Sequence, residues 1–371
     1  MIKNTKFCSN ASLGTMDQTK DQIANEVLRL NYNENALGMP LSAQQAITDH
    51  LQSAFRYPDE YRVKLIVKLA ALHGLTTDQI SMGNGSSENI QSVIQMLNTR
   101  ALDQGVAFQV IIPIPTFHFA ELYADLLDID VVKIPLTEED FSIDIEAMQQ
   151  AAESFDGISL MYLVNPNNPT STLINTADLK QWIGNALETH YFLLDEAYAD
   201  YVRDPSFVSG IEFIKQKLSK NVIVTRTFSK LYAMAGLRVG YAISDASTIK
   251  YIESFTSQDN TNIAGAVAAV AALEDIEFRD FALKSNNESR LIVEQALDEL
   301  GLRYLDSQAC FILHEISTEV PLYEQRMAEH NIFVGREFLP IRGYNRVSLG
   351  TPEQMQRFVE VLKQFRSKNW I

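Results

Sequence analysis

Lys230 stands in the run Thr227-Phe228-Ser229-Lys230. A lysine held between hydroxyls and apolar residues can shed its proton and attack an aldehyde. Further on, after Gly236-Leu237, comes Arg238. With Thr227 and Ser229 it can clamp a phosphate through a charged fork and two hydroxyls. Asp195 opens Asp195-Glu196-Ala197-Tyr198 directly after the apolar run Tyr191–Leu194. A carboxyl there is expensive to ionise unless a cation meets it, and a protonated pyridine nitrogen is such a cation; the same Asp can also simply cap a helix. In Asn165-Pro166-Asn167-Asn168-Pro169-Thr170 two prolines fix an irregular turn, where an Asn amide can donate to a phenolate-like oxygen. Gly83-Asn84-Gly85-Ser86-Ser87-Glu88 precedes a helical pattern and offers amides and hydroxyls to a phosphate, or only a helix cap. Its third glycine position is taken by Glu88, so it is no dinucleotide fingerprint. Arg346 can grip a carboxylate with two parallel bonds, and Phe117, in Pro115-Thr116-Phe117, can stack on a ring.

Taken together, these groups supply an aldehyde partner, a carboxylate for a ring nitrogen, donors to a phenolic oxygen, a phosphate cradle and a stacking group. Pyridoxal 5'-phosphate requires that set. Positioning it calls for strands that deliver the groups at their ends. Strand patterns cover Ala107–Ile112, Ile158–Val164, Tyr191–Leu194, Asn221–Thr225 and Arg238–Ile243, and helical spacing such as Ile90, Val93, Ile94, Leu97 alternates with them. This predicts an α/β fold, a mostly parallel sheet with helices on both faces, whose ligands bind at the carboxyl ends of the strands. Residues 275–371 read as a smaller α+β domain, residues 51–274 as the large domain, and residues 1–50 as an N-terminal arm and part of the small domain. In the small domain a helix is expected over Glu288–Leu300, strands at Cys310–His314, Ile332–Val334 and from Arg346 to Leu349, and a last helix capped by Thr351 with Pro352 and Gln354. The apolar stripe of that helix is Met355, Phe358, Val359, Leu362 and Phe365.

The chain has 371 residues, with 31 Lys and Arg against 47 Asp and Glu, a net charge of −16. Such a surface repels nucleic acid and anionic membranes but leaves room for a local basic pocket. Cys8 and Cys310 have no metal-ligand spacing and read as unpaired thiols in a reducing compartment. No metal is expected. No signal peptide or membrane-spanning run is apparent, which makes the cytoplasm the default.

The order Asn168, Asp195, Tyr198, Lys230, Arg238, Arg346 resembles that of the fold-type I aminotransferases, and within them the histidinol-phosphate aminotransferase family. The matching segments are Leu30–Asn35, Arg56-Tyr57-Pro58-Asp59, Gly83–Glu88, Asn165–Thr170, Asp195–Tyr198, Thr227–Lys230 and Val347–Pro352. The resemblance implies transfer of an amino group from an L-amino acid or amino-alcohol phosphate, of histidinol phosphate or aromatic type, to a 2-oxo acid such as 2-oxoglutarate. It implies that Lys230 holds the cofactor as a Schiff base and shuttles a proton. Asp195 would keep the ring nitrogen protonated, Asn168 and Tyr198 would bond the phenolic oxygen, and Ser86, Ser87, Thr227, Ser229 and Arg238 would hold the phosphate. Tyr57 would reach the phosphate of a neighbouring subunit in a homodimer. Arg346 would bind the substrate's anionic group, with Asn35 nearby and Arg336 choosing among side chains. The chain departs from the family at Ser171 (usually Gly), Cys310 (Asn), Phe117 (commonly Tyr) and Ser87 (often Asp), and Val334-Gly335-Arg336 resembles a branch with less uniform substrates. Rival readings are a pyridoxal-phosphate decarboxylase or lyase on the same lysine, a nucleotide-binding dehydrogenase, and a non-catalytic regulator built on the same fold.

Overall fold

The computed structural model describes residues 27–371, so Cys8 lies outside the described residues. In chain order the strands are β1 (Leu28–Arg29), β2 (Ile80–Asn84), β3 (Ala107–Ile114), β4 (Asp130–Pro135), β5 (Gly157–Val164), β6 (His190–Asp195), β7 (Val222–Thr227), β8 (Val239–Ile243), β9 (Phe311–Glu315), β10 (Ile332–Phe333) and β11 (Tyr344–Ser348). The main sheet runs β2-β8-β7-β6-β5-β3-β4, and only β8 is antiparallel to its neighbours. The expected α/β sheet is therefore present.

Its central strands are apolar throughout because both faces are covered. Every residue of β6 is buried, and in β5 only Gly157 is not. One apolar cluster on the sheet includes Met161, Leu163, Phe192, Leu194 and Val224, while Leu160, Tyr162, Leu193 and Ile223 fill another. The alternation of names between the two clusters is the period-two alternation of strand side chains. A separate cluster joins Leu28 and Leu30 to Val293, Leu297, Ile312, Val347, Phe358 and Leu362, packed around the pairs β1–β10 and β9–β11.

Several boundaries differ from expectation. β2 and β4 were not anticipated: β2 is five residues long and interrupted by Ser81, Gly83 and Asn84, and no residue of β4 is fully buried, so neither shows a long apolar run. The strand expected to open at Arg346 starts at Tyr344, which puts Arg346 in its middle; the strand expected from Cys310 starts at Phe311; and Arg238 precedes β8 in a left-handed conformation, φ 55°. The last helix, Pro352–Ser367, begins with the expected capping box between Thr351 and Gln354.

Glu196, immediately after β6, is 1% exposed and accepts from Arg226 Nη2 at 2.6 Å, Arg226 Nε at 3.0 Å, Ser209 Oγ at 2.7 Å and Gly210 N at 2.6 Å. Arg226 also reaches Asp200 at 3.2 Å. The pair clasps the ends of β6 and β7 one position beyond Asp195 and Thr225, which are register partners. Removing one member leaves the other charge buried. Arg226→Met is expected to destabilise the fold by about 3–5 kcal/mol in urea denaturation, whereas the double variant Arg226→Met/Glu196→Met recovers most of that loss. A single-variant loss under about 1 kcal/mol would show that the clasp does not hold these strands.

Candidate active site

The carboxyl ends of β5, β6 and β7 lie side by side. Asn165 N donates to Asp195 O at 3.0 Å, and Glu196 N to Thr225 O at 3.0 Å. Asp195 is 2% exposed. Its carboxylate accepts from Tyr162 OH at 3.0 Å and from Thr225 Oγ1 at 3.2 Å, and among the described residues no Lys, Arg or His pairs with it. Burial is the main cause that lifts its pKa to about 6, against the hydrogen bonds from Tyr162 and Thr225 that hold it down. The helix-cap reading of Asp195 fails, because it ends a strand with its carboxylate turned inward.

Lys230, half-buried, donates to Tyr32 O at 3.3 Å and Asn33 O at 3.2 Å, and its Nζ stands 5.5 Å from the centroid of the Tyr198 ring. Tyr198 is 4% exposed and packs edge-on to Phe311 at 5.0 Å. Its hydroxyl accepts from Asn33 Nδ2 at 3.0 Å. Cys310 is buried and unpaired, its Sγ 3.9 Å from Asn33 O, and burial pushes its thiol up to about 11. It therefore packs as a neutral group beside Lys230.

Ser86 and Ser87 open the helix Ser86–Gln104. Arg238 donates to Ser87 Oγ at 3.1 Å, Asn84 O at 3.1 Å and Ala235 O at 3.0 Å. Thr227 Oγ1 donates to Ser229 Oγ at 2.9 Å. These two halves meet at Gly240: it pairs with Thr227 across β7 and β8, and a side chain on it would collide with Ser86 N and Gly85. Glu88 braces the loop from below, accepting from Asn84 N at 2.6 Å, Ser257 N at 2.9 Å and Asn260 Nδ2 at 3.0 Å. Hydroxyls, helix-start amides and a guanidinium around one spot make an anion site.

Arg346 is 7% exposed. It donates to Asn168 Oδ1 at 2.6 Å and Asn31 O at 2.6 Å, its Nε has no partner, and no carboxylate pairs with it among the described residues. Burial lowers its pKa. Its guanidinium lies 4.9 Å from the Phe338 ring, and that of the exposed Arg336 lies 4.8 Å from the same ring. Asn35 turns elsewhere: its Nδ2 donates to Leu231 O at 2.8 Å and its Oδ1 accepts from Leu37 N at 3.1 Å, which fastens the backbone beside Lys230. Phe117 packs on Phe119, centroids 4.4 Å apart, and its neighbour Thr116 donates to Asn167 Oδ1 at 2.7 Å, tying that segment to the asparagine turn. Ser171 closes that turn with φ 59°, a conformation that explains the family's glycine. Tyr57 is 78% exposed beside Phe55 at 79%, and it joins none of these hydrogen bonds.

The aminotransferase class I and II family model matches residues 25–362. The chain belongs to that family. A curated relative, histidinol-phosphate aminotransferase 2 of Carboxydothermus hydrogenoformans, is 33% identical over 90% of this chain and 90% of its own length. The crystal structure of a provisionally named histidinol-phosphate aminotransferase from Erwinia carotovora atroseptica superposes with a TM-score of 0.89, at 36% identity, covering 94% of this chain and 98% of that one. A histidinol-phosphate aminotransferase from Sinorhizobium meliloti, solved in complex with pyridoxal-5'-phosphate, shares the fold at TM-score 0.82 and 23% identity, covering 94% of each chain.

Three side chains escaped the sequence reading: Tyr162, Thr225 and Asn33. The signal for Tyr162 and Thr225 was a hydroxyl inside an otherwise aliphatic run; for Asn33 there was none beyond its place in Leu30–Asn35.

In protein freed of bound small molecules, a carboxyl raised from 3.8 to about 6 takes up a proton on folding between those values. Its contribution is then most favourable below pH 4 and is lost as pH rises through 6, by up to about 3 kcal/mol. Asp195→Asn should therefore melt above the parent at pH 8, with the gap closing towards pH 4. A gap independent of pH would show that Asp195 is not strained by its burial.

Proposed function

We propose that the chain is a pyridoxal-phosphate-dependent aminotransferase of the histidinol-phosphate type. The observation that carries this is a pair of buried charges with no opposite charge on them among the described residues, the Asp195 carboxylate and the Arg346 guanidinium, together with the half-buried Lys230. The donor set fits the cofactor. Asp195 would meet its ring nitrogen, Asn168 and Tyr198 its phenolic oxygen, Phe117 its ring, and Ser86, Ser87, Thr227, Ser229 and Arg238 its phosphate. When bound, pyridoxal phosphate supplies an aldehyde for Lys230 and a conjugated ring that draws electrons from the substrate's α-carbon.

The remaining work belongs to this chain. Lys230 Nζ carries the proton to and from the α-carbon. Arg346 forks the substrate's anionic group, a carboxylate or a phosphate, with Nε and the fork now shared with Asn168 and Asn31. Arg336, stacked on the ring that also faces Arg346, selects among side chains. Asn35, tied to the backbone at Leu231, stands with Arg346 and Arg336 as a substrate-binding residue. The amino donor is an L-amino acid or amino-alcohol phosphate of histidinol-phosphate or aromatic type, and the acceptor is a 2-oxo acid such as 2-oxoglutarate. A homodimer in the cytoplasm completes the reading: exposed Phe55 and Tyr57 are the surface a second copy would cover, with Tyr57 reaching the partner's phosphate. A decarboxylase or lyase on the same lysine is not favoured, since the curated relatives described are aminotransferases.

Borohydride reduction of the cofactor-loaded protein should fix the cofactor to Lys230, read by peptide mass, and Lys230→Ala should fold but not transaminate. A label on another lysine would overturn the assignment. Arg346→Lys should lower kcat/KM for every accepted amino donor by about ten- to a hundredfold, a loss of roughly 1.5–3 kcal/mol, because a point charge cannot keep both bonds. Arg336→Ala should instead reorder the donors. Specificity constants within about threefold of the parent for Arg346→Lys would place the anion site elsewhere.

A further inference from the structure

Asn33 touches both Tyr198 and Lys230. It is 2% exposed and adopts φ 54°, in the left-handed region that Asn tolerates better than most residues. Each of its polar groups is engaged. Its backbone N donates to Ser348 Oγ at 2.8 Å, and its carbonyl accepts from Lys230 Nζ at 3.2 Å. Its side-chain Oδ1 accepts from Ser348 Oγ at 3.0 Å, and its Nδ2 donates to Tyr198 OH at 3.0 Å.

The Ser348 hydroxyl accepts from the Asn33 backbone amide and donates its single proton to Oδ1. With Oδ1 on Ser348, Nδ2 of the amide faces Tyr198. An amide nitrogen has only protons to give, so the Tyr198 oxygen accepts there and its own proton must point elsewhere. We propose that Asn33 is a positioning residue that fixes Tyr198 as a hydrogen-bond donor to the cofactor's phenolic oxygen, with Ser348 setting the amide. The inference rests on the pyridoxal-phosphate reading above and adds the group that decides which way the Tyr198 proton faces. Ser348 lies two residues beyond Arg346, on the same face of β11. The strand that carries the substrate's anchor therefore also sets the donor to the cofactor. A donor at the phenolic oxygen holds negative charge there and lowers the proton affinity of the Lys230 nitrogen conjugated with it.

The test is a spectrophotometric pH titration of the full-length protein reconstituted with pyridoxal phosphate. Asn33→Gly and Asn33→Asp both keep the left-handed backbone accessible. Asn33→Gly removes the partner of Tyr198, and Asn33→Asp turns an acceptor towards it. Both should raise the pH midpoint of the visible band, Asn33→Asp by about one unit. Tyr198→Phe should raise it as well, and adding Asn33→Gly to Tyr198→Phe should give no further rise, because both act through one proton. Midpoints unmoved in the Asn33 variants while Tyr198→Phe moves, or shifts that simply add, would overturn the inference and leave Asn33 as a tie between β11 and its own segment; lowered melting temperature alone counts on that side. A parent without a visible band, or with the cofactor fixed to another lysine, would fail the cofactor reading itself and this inference with it.

Discussion

Asp195 is a carboxylate carried to the buried end of a strand, where two hydroxyls bond it and no Lys, Arg or His among the described residues pairs with it. A buried charge of this kind is tolerated only where something else of opposite sign is to be met. The adjacent residue shows the contrast. Glu196, on the other side of the sheet, is equally buried but is matched by Arg226, two further donors and a strand-end clasp. One carboxylate is paired with a cation inside the fold, and its neighbour is bonded by hydroxyls without one among the described residues. The alternation of side chains along an extended backbone is what allows two consecutive acids to have such different environments.

Arg346 is the complementary case on β11. It is buried, bonded only to an amide oxygen and a carbonyl, and it keeps Nε free. Phe311 and Phe338 line its guanidinium, which raises the strength of any anion it receives by keeping water away. Asn33 bonds Tyr198, Lys230 and Ser348, and Asn168 bonds Arg346, so segments that follow the strands of the main sheet are tied to β11.

Much of this was legible in the sequence, because strands buried on both faces leave long apolar runs, and a polar residue at the end of such a run is conspicuous. Asp195, the asparagine turn and the Lys230 segment were found that way. The helix Pro352–Ser367 was equally plain, since its capping box is a local signal. β4 was not, because its partly exposed residues carry no long apolar run, and neither was the true start of β11, where Asn345 is a poor strand former by type. The contacts of Asn33 span 165 and 315 residues of chain, and no local pattern encodes a partner at that distance. Asn35, carried over as substrate-binding, also fastens the backbone at Leu231, a contact that its motif did not announce.

The central claim is that Asp195 is buried without a cationic partner among the described residues because a protonated ring nitrogen is that partner. Nitrogen NMR of the protein reconstituted with pyridoxal phosphate labelled at the ring nitrogen tests this most directly. The parent should show a protonated ring nitrogen at about pH 8, above the range where a free pyridine keeps its proton, and Asp195→Asn should show a neutral one. A neutral ring nitrogen in the parent, or a protonated one that survives Asp195→Asn, would contradict the account.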